Sequence, residues 1–148
     1  MSKRTNIEQV APKAFEALLH LESYLATVTI SKKYLYLIKI RASQINGCAY
    51  CINMHMNHAR NDGETQQRLD LLIAWKEAQN IFSLEECLLL AATEEITLLH
   101  RNGLTDAVYN KLIEHFGDQQ TVEIIMTIIT INSWNRLTVS LKKEVDWI

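Results

Sequence analysis

Apolar residues recur at the spacing of an α-helix along most of this chain. One row contains Leu18, Leu21, Leu25 and Val28, which lie three or four residues apart and therefore share one helical face. A second row with this spacing begins at Leu88. The pattern predicts helices near residues 7–27, 31–44, 48–61, 65–79, 84–101, 105–116 and 119–140.

Residues that break or end helices are rare in this sequence. The chain has one proline, Pro12, and four glycines, and each glycine follows an amphipathic stretch as a helix C-terminal signal does. Ser83 and Glu86 have the spacing of a capping box, and Thr105 is a candidate N-cap. No repeat or linker divides the sequence. We therefore predict an all-α bundle of about six to seven helices, in a single domain over residues 1–148.

Composition and charge narrow the class of protein. The chain has 148 residues, of which 48% are hydrophobic and 22% charged, and its formal net charge is -2. These values are typical of globular proteins, and the lack of a basic cluster argues against a nucleic-acid partner. The apolar run from Ile124 to Ile131 is too short to span a membrane, and no apolar stretch follows the positive N-terminus as in an export signal. With only three cysteines, we expect a cytoplasmic protein without a structural disulfide framework.

The most specific chemical feature is a pair of cysteines followed by a histidine. Cys48 and Cys51 have CxxC spacing and His55 lies four residues further on, so a helix brings the three side chains to one face. The Asn46-Gly47 turn places them in the first turns of that helix, where free N–H groups and the helix dipole stabilise a thiolate. Cys51 is the better candidate for the activated thiolate, because His55 can act as its base or its imidazolium partner. Cys48 can then close a disulfide.

Two other interpretations of this motif stay open. The three side chains could bind zinc, but structural zinc takes four ligands, and Cys87 and the other histidines form no second ligand pair. The thiols could also be inert buried side chains, which is what we expect of Cys87 in its leucine-rich segment.

The segment around the cysteines resembles a known family. Residues Ile40–His55, IRASQINGCAYCINMH, are similar to the core signature of the AhpD-like (alkylhydroperoxidase D) branch of the carboxymuconolactone decarboxylase-like superfamily. The likeness continues at Gly63–Leu69 and Ile131–Arg136. It implies an all-helical protein that forms homo-oligomers, commonly trimers or hexamers. It also implies that two cysteines reduce hydroperoxides, or pass electrons to a peroxiredoxin partner, and that a dithiol donor restores them without a metal or organic cofactor.

The resemblance also implies a role for each residue of the motif. Cys51 matches the peroxide-reacting thiol, Cys48 the resolving thiol and His55 the relay histidine. The family's relay glutamate, twelve residues before the first cysteine, is replaced here by Tyr36. A phenol is a poor base at neutral pH, so the relay is weakened unless another carboxylate serves. Glu94 and Glu95 are the candidates, although our default expectation for both is a solvated helix charge.

Three functions follow from these features. The first, which we expect, is a thiol-dependent hydroperoxide or disulfide reductase in antioxidant defence, because the CxxC-histidine motif supplies its chemistry. The second is a lyase that acts on a small cyclic acid, although the decarboxylase branch generally lacks the CxxC. The third is a non-catalytic redox sensor, and the replacement of the relay glutamate by Tyr36 motivates it.

Overall fold

Residues 4–145, which the computed structural model describes, form helices joined by short turns, with no β-strand among them. The described residues contain seven α-helices, which are, in chain order, α1 (Ile7–Val10), α2 (Pro12–Leu25), α3 (Lys32–Ile45), α4 (Ala49–Asn61), α5 (Gln66–Leu71), α6 (Leu84–Thr97) and α7 (Asp106–Leu141). The predicted all-α fold is confirmed. The first three residues, which belong to the N-terminal segment where no export signal is expected, lie outside the described residues.

Two of the predicted helices differ from those in the structure, because one is divided and the other ends earlier than predicted. The predicted helix over residues 7–27 is two helices, because Pro12 lacks an N–H group to continue α1 and instead occupies the start of α2. The predicted helix over residues 84–101 ends at Thr97, because Leu98 leaves helical geometry with φ -96° and ψ 44°.

The predicted helix over residues 65–79 is wrong after Leu71, where the chain continues as a 3₁₀-helix over Leu72–Ala74. The buried side chains of this segment lie three residues apart, at Leu69, Leu72, Trp75 and Ala78. A repeat of three matches the three residues per turn of a 3₁₀-helix, whereas an α-helix would carry these side chains progressively around its axis.

The two predicted caps are confirmed. The Ser83 hydroxyl accepts from the Glu86 N–H, and the Glu86 carboxylate accepts from the Ser83 N–H at 2.8 Å, which completes the capping box of α6. The Thr105 hydroxyl accepts from the Val108 N–H at the start of α7. Both caps satisfy N–H groups that have no partner inside their helices.

Gly117 divides the long helix α7. The predicted boundary between residues 116 and 119 falls on this glycine, whose φ of 68° and ψ of 178° are not helical. This backbone region is open almost only to glycine, because a Cβ atom would strain the chain there.

We therefore expect Gly117→Ala to lower the free energy of unfolding by about 1–3 kcal/mol. No atom lies within 4 Å of the position a Cβ would take, so the cost comes from the backbone and not from a clash. Chemical denaturation measures it, with the exposed neighbour variant Asp118→Ala as the control. Equal stabilities for the two variants would contradict the assignment of strain to Gly117.

Helix α3 is the centre of the packing and positions the turn that follows it. It packs against α4, α6 and α7, and α7 packs in turn against α2 and α6. Ile38, Leu89 and Ile128 are fully buried where α3, α6 and α7 meet, so the middle of α3 is held between α6 and α7. Over residues 4–145, no helix combines the length and the apolar character that crossing a membrane requires.

Candidate active site

The turn between α3 and α4 sets the position of the first cysteine. Gly47 has a φ of 63°, a left-handed conformation that lets the chain reverse direction after α3. The Cys48 N–H then donates to the Ser43 carbonyl at 2.9 Å, and Cys48 becomes the N-cap residue of α4. Cys51 lies one turn further into the same helix.

The structure brings the two thiols together below the surface. Both cysteines are free, only 1% and 2% of Cys48 and Cys51 are exposed, and their Sγ atoms lie 2.7 Å apart. A disulfide needs about 2.05 Å between sulfurs, so a small rearrangement would close one. A tetrahedral zinc ion, by contrast, would hold two sulfurs about 3.8 Å apart. Among residues 4–145, no three Cys, His, Asp or Glu side chains are grouped to hold a metal ion.

The hydrogen bond between the two thiols favours the negative charge on Cys48. The Cys51 thiol hydrogen-bonds Cys48 and lowers the pKa of Cys48 to about 7, and the Cys51 backbone N–H adds to this effect. The same hydrogen bond raises the pKa of Cys51, together with burial and the charge on Cys48. In this hydrogen bond Cys51 is the donor and Cys48 is its nearest base, whereas the sequence predicted the activated thiolate on Cys51. The role of each thiol stays a prediction.

Two residues of α7 complete the surroundings of the sulfurs. The Asn135 side chain hydrogen-bonds both cysteines and the Thr138 side chain hydrogen-bonds Cys51, and these contacts favour the charged form of the thiols. Asn135 is fully buried, donates to the Ser43 hydroxyl at 3.0 Å and accepts from the Asn46 amide at 2.9 Å. The sequence alone predicted no role for either residue. The signal that could have found Asn135 is an amide inside an isoleucine-rich helix, because a buried amide needs partners.

We expect Asn135→Ala to raise the lower thiol pKa by about one unit, because the variant loses a hydrogen bond that favours the thiolate. Ultraviolet absorbance of the thiolate, followed as a function of pH, measures the shift. Asn110→Ala, which changes an exposed residue of the same helix, is the matched control. An unchanged thiol pKa in the Asn135 variant would refute this role.

Cys51 faces a cavity of about 850 Å³, whereas Cys48 does not line it. The apolar part of the wall includes Phe15, Met54 and Trp134, and the Phe15 and Trp134 rings meet edge to face at 5.5 Å. A cavity of this size holds a small organic molecule. Access from the cavity to the dithiol is therefore through Cys51.

His55 is part of the cavity wall, but it is neutral. It is 6% exposed, and its ring lies edge to face against the ring of the exposed His58, 6.2 Å away. Burial lowers the pKa of His55 to about 3, and the charge of Lys39 contributes. The expected imidazolium partner is thus absent at neutral pH, and Cys48 is a stronger base toward Cys51 than His55 is.

Tyr36, in the position of the relay glutamate, and the two candidate replacements, Glu94 and Glu95, all have hydrogen-bond partners elsewhere. The Tyr36 hydroxyl lines the cavity but donates to the Asp62 carboxylate at 2.5 Å, and burial raises its pKa further from neutrality. Glu94 accepts hydrogen bonds from the Arg41 guanidinium, the Trp75 indole and the Lys76 ammonium.

Glu95 accepts from the N–H and the hydroxyl of Thr105, at the start of α7. Neither glutamate lines the cavity, so the idea that one of them serves the thiols is not supported by their positions. Sequence spacing could not reveal this, because their partners lie on other segments of the chain. Cys87, the third cysteine, is partly buried against the core, away from the cavity.

The fold and the site together define an all-helical protein with a CxxC dithiol beside a cavity. The sequence model of the family described as "Carboxymuconolactone decarboxylase family" matches residues 12–95 of this chain. An uncharacterized protein of Bacillus subtilis (strain 168), YdfG, is 39% identical over 141 residues, which is 95% of each chain. A crystal structure from Agrobacterium tumefaciens, of a protein of unknown function and candidate antioxidant defence protein AhpD, is 33% identical. It has a TM-score of 0.94 over 99% of this chain and 100% of that one.

The chain belongs to the carboxymuconolactone decarboxylase family, because more than half of its residues match, and within it to the AhpD-like branch. The resemblance found in the sequence is confirmed. The apo structure of the debrominase Bmp8 has a TM-score of 0.80 over 91% of this chain and 72% of its own. At 15% identity, that likeness shows the fold alone.

Proposed function

We propose that this chain is a thiol-dependent hydroperoxide reductase with a role in antioxidant defence. The observation that carries the proposal is the position of Cys51, which faces a cavity of about 850 Å³ with a second thiol 2.7 Å behind it. A peroxidase of this kind needs one accessible sulfur to attack and one adjacent sulfur to resolve the product. The likeness to an AhpD candidate and the family membership support an enzyme of the same class.

The first half of the reaction oxidises Cys51. Its thiol proton moves to the Cys48 thiolate, and the Cys51 sulfur attacks the terminal oxygen of the hydroperoxide R–O–OH. A sulfur–oxygen bond forms and the oxygen–oxygen bond breaks, so the sulfur loses two electrons and becomes a sulfenic acid. The leaving oxygen takes up a proton and departs as the alcohol ROH. Because Cys48 accepts the thiol proton of Cys51, the deprotonation of Cys51 needs no other base.

The second half closes and reopens a disulfide. The Cys48 thiol displaces hydroxide from the Cys51 sulfenic acid, and the hydroxide leaves as water with the thiol proton. An external dithiol then reduces the disulfide in two exchange steps and is itself oxidised. The donor in this proposal is a small dithiol or a peroxiredoxin partner, and the protein acts as a homo-oligomer as its family resemblance implies.

The test is consumption of cumene hydroperoxide by the purified protein with dihydrolipoamide as the electron donor. The proposal predicts multiple turnovers that stop when the thiols are alkylated beforehand. No turnover, with a Cys48–Cys51 disulfide that still forms on oxidation, would instead favour the redox sensor. Conversion of a small cyclic acid that survives replacement of both cysteines would favour the lyase.

A further inference from the structure

A buried lysine lies in the wall of the same cavity as Cys51. Lys39, on α3, is 9% exposed, and its ammonium group donates to the Glu22 carboxylate of α2 at 2.8 Å. Lysine is rarely buried without a partner, and the pair keeps this cation inside the protein rather than at its surface. Glu22 and Lys39 both line the cavity, together with Cys51 and His55.

The ammonium group of Lys39 acts electrostatically on His55, which lines the same cavity. Burial is the largest cause of the lowered pKa of His55, and the charge of Lys39 is the next largest. His55 lies one helical turn beyond Cys51 on α4. The remaining cations of the wall are exposed, at Arg4, Lys32, Lys142 and Lys143. Among the lysines and arginines of this wall, Lys39 is therefore the one that is shielded from water.

One proton of the proposed peroxidase reaction still needs a donor, namely the proton that the leaving oxygen takes up. When the oxygen–oxygen bond breaks, an alkoxide forms and must be protonated. His55 is neutral, and the Tyr36 hydroxyl already donates its hydrogen bond to Asp62, so neither group is suited to protonate the alkoxide. A buried ammonium group both stabilises a developing negative charge and carries a proton that it can give.

We propose that Lys39, held in position by Glu22, is a catalytic residue that protonates the leaving oxygen of the hydroperoxide. This inference rests on the proposed peroxidase function. As the Cys51 sulfur takes the terminal oxygen, the proton of the Lys39 ammonium moves to the departing alkoxide and gives the alcohol. Lys39 is left as a neutral amine and regains a proton from solvent, and Glu22 keeps its side chain directed into the cavity throughout.

The test compares two oxidants that differ in their leaving group. Cumene hydroperoxide releases an alkoxide that needs a proton, whereas peracetic acid releases a carboxylate that does not. We expect Lys39→Met to slow single-turnover oxidation of the dithiol by cumene hydroperoxide by about 100-fold and by peracetic acid by less than about 10-fold. Lys39→Arg, which keeps the charge, should restore part of the rate. Lys33→Met, on the same helix and outside this cavity, is the matched control.

The ratio of the rates with cumene hydroperoxide and peracetic acid tests the role of Lys39 separately from the proposed peroxidase function. Both oxidants use the same thiols, so a change in thiol pKa cancels in the ratio. If the unmodified protein fails to oxidise with cumene hydroperoxide, the peroxidase function itself is wrong. If it reacts and Lys39→Met slows both oxidants equally or neither, only the role of Lys39 is refuted. Should Lys39→Met not fold, Glu22→Gln keeps the lysine but weakens its ion pair. We then expect a smaller loss of rate that is still selective for cumene hydroperoxide.

Discussion

Replacement of Cys51 by serine should lower the rate of hydroperoxide turnover by at least about 10³-fold, because a serine hydroxyl cannot supply the attacking sulfur. Cys48→Ser should behave differently, since the cavity-facing sulfur remains. That variant should undergo one oxidation, more slowly because the base at Cys48 is also lost, and stop with a trapped sulfenic acid at Cys51, because the thiol that would resolve it is missing. Peroxide consumption with a dithiol donor measures turnover, and a sulfenic-acid probe read by mass spectrometry identifies the trapped product.

The third cysteine provides the control for both variants. Cys87 lies against the core and outside the cavity, so Cys87→Ser should keep full turnover. Continued multiple turnover in both the Cys48 and the Cys51 variants would exclude the mechanism. Turnover lost only in Cys48→Ser would reverse the two roles and place the attacking sulfur on Cys48.

The second large effect concerns stability at low pH and arises from His55. In the unfolded chain this histidine has a pKa of about 6.5, and in the folded protein burial lowers its pKa to about 3. Between these values the unfolded chain binds a proton that the folded protein does not, so stability falls as the pH falls. The loss is about 1.4 kcal/mol per pH unit and at most about 5 kcal/mol at the acid end.

We therefore expect His55→Gln to flatten the dependence of unfolding free energy on pH between about 3 and 6.5, since glutamine does not titrate. Urea denaturation at a series of pH values measures both slopes. The comparison of slopes is independent of any loss of packing that the substitution causes at neutral pH. His20→Gln, at an exposed position of α2, should keep the slope of the unmodified protein. The same slope in all three proteins would show that His55 is not held neutral by burial.

The sequence predicted the position of the dithiol better than its electrostatics. The CxxC spacing after the Asn46-Gly47 turn was sufficient to predict that both thiols lie at the start of a helix. The site of the charge depends on the 2.7 Å separation of the sulfurs and on the Cys51 backbone N–H. Neither quantity has a signature in residue spacing, so residue spacing could not predict that the hydrogen bond between the thiols favours the charge on Cys48.

The residues that the sequence analysis missed come from other parts of the chain. Asn135 reaches the cysteines from α7, and its partner Ser43 is 92 positions away in the sequence. Glu22 lies on α2, so its pairing with Lys39 depends on how α2 and α3 approach each other. The segment Leu37-Ile38-Lys39-Ile40 did carry a local signal, because a single cation among buried apolar residues requires a partner.

The helix boundaries show a similar division between local and tertiary causes. The boundary at Gly117 and the capping box at Ser83 were predictable because glycine conformation and cap chemistry are local. The 3₁₀-helix after Leu71 was not predicted, although the apolar spacing of three residues there was visible in the sequence. A search for that period, alongside the period of the α-helix, would have found it.

A hydroperoxide that enters the cavity should oxidise the Cys48–Cys51 pair. The most direct measurement adds one equivalent of cumene hydroperoxide to the reduced protein, alkylates the remaining thiols and analyses tryptic peptides by mass. Cys48 and Cys51 lie in one peptide, residues 42–60, and Cys87 lies in another. We expect the first peptide to escape alkylation and to lose two hydrogens, while Cys87 is still alkylated. Full alkylation of the first peptide, or preferential oxidation of Cys87, would contradict it.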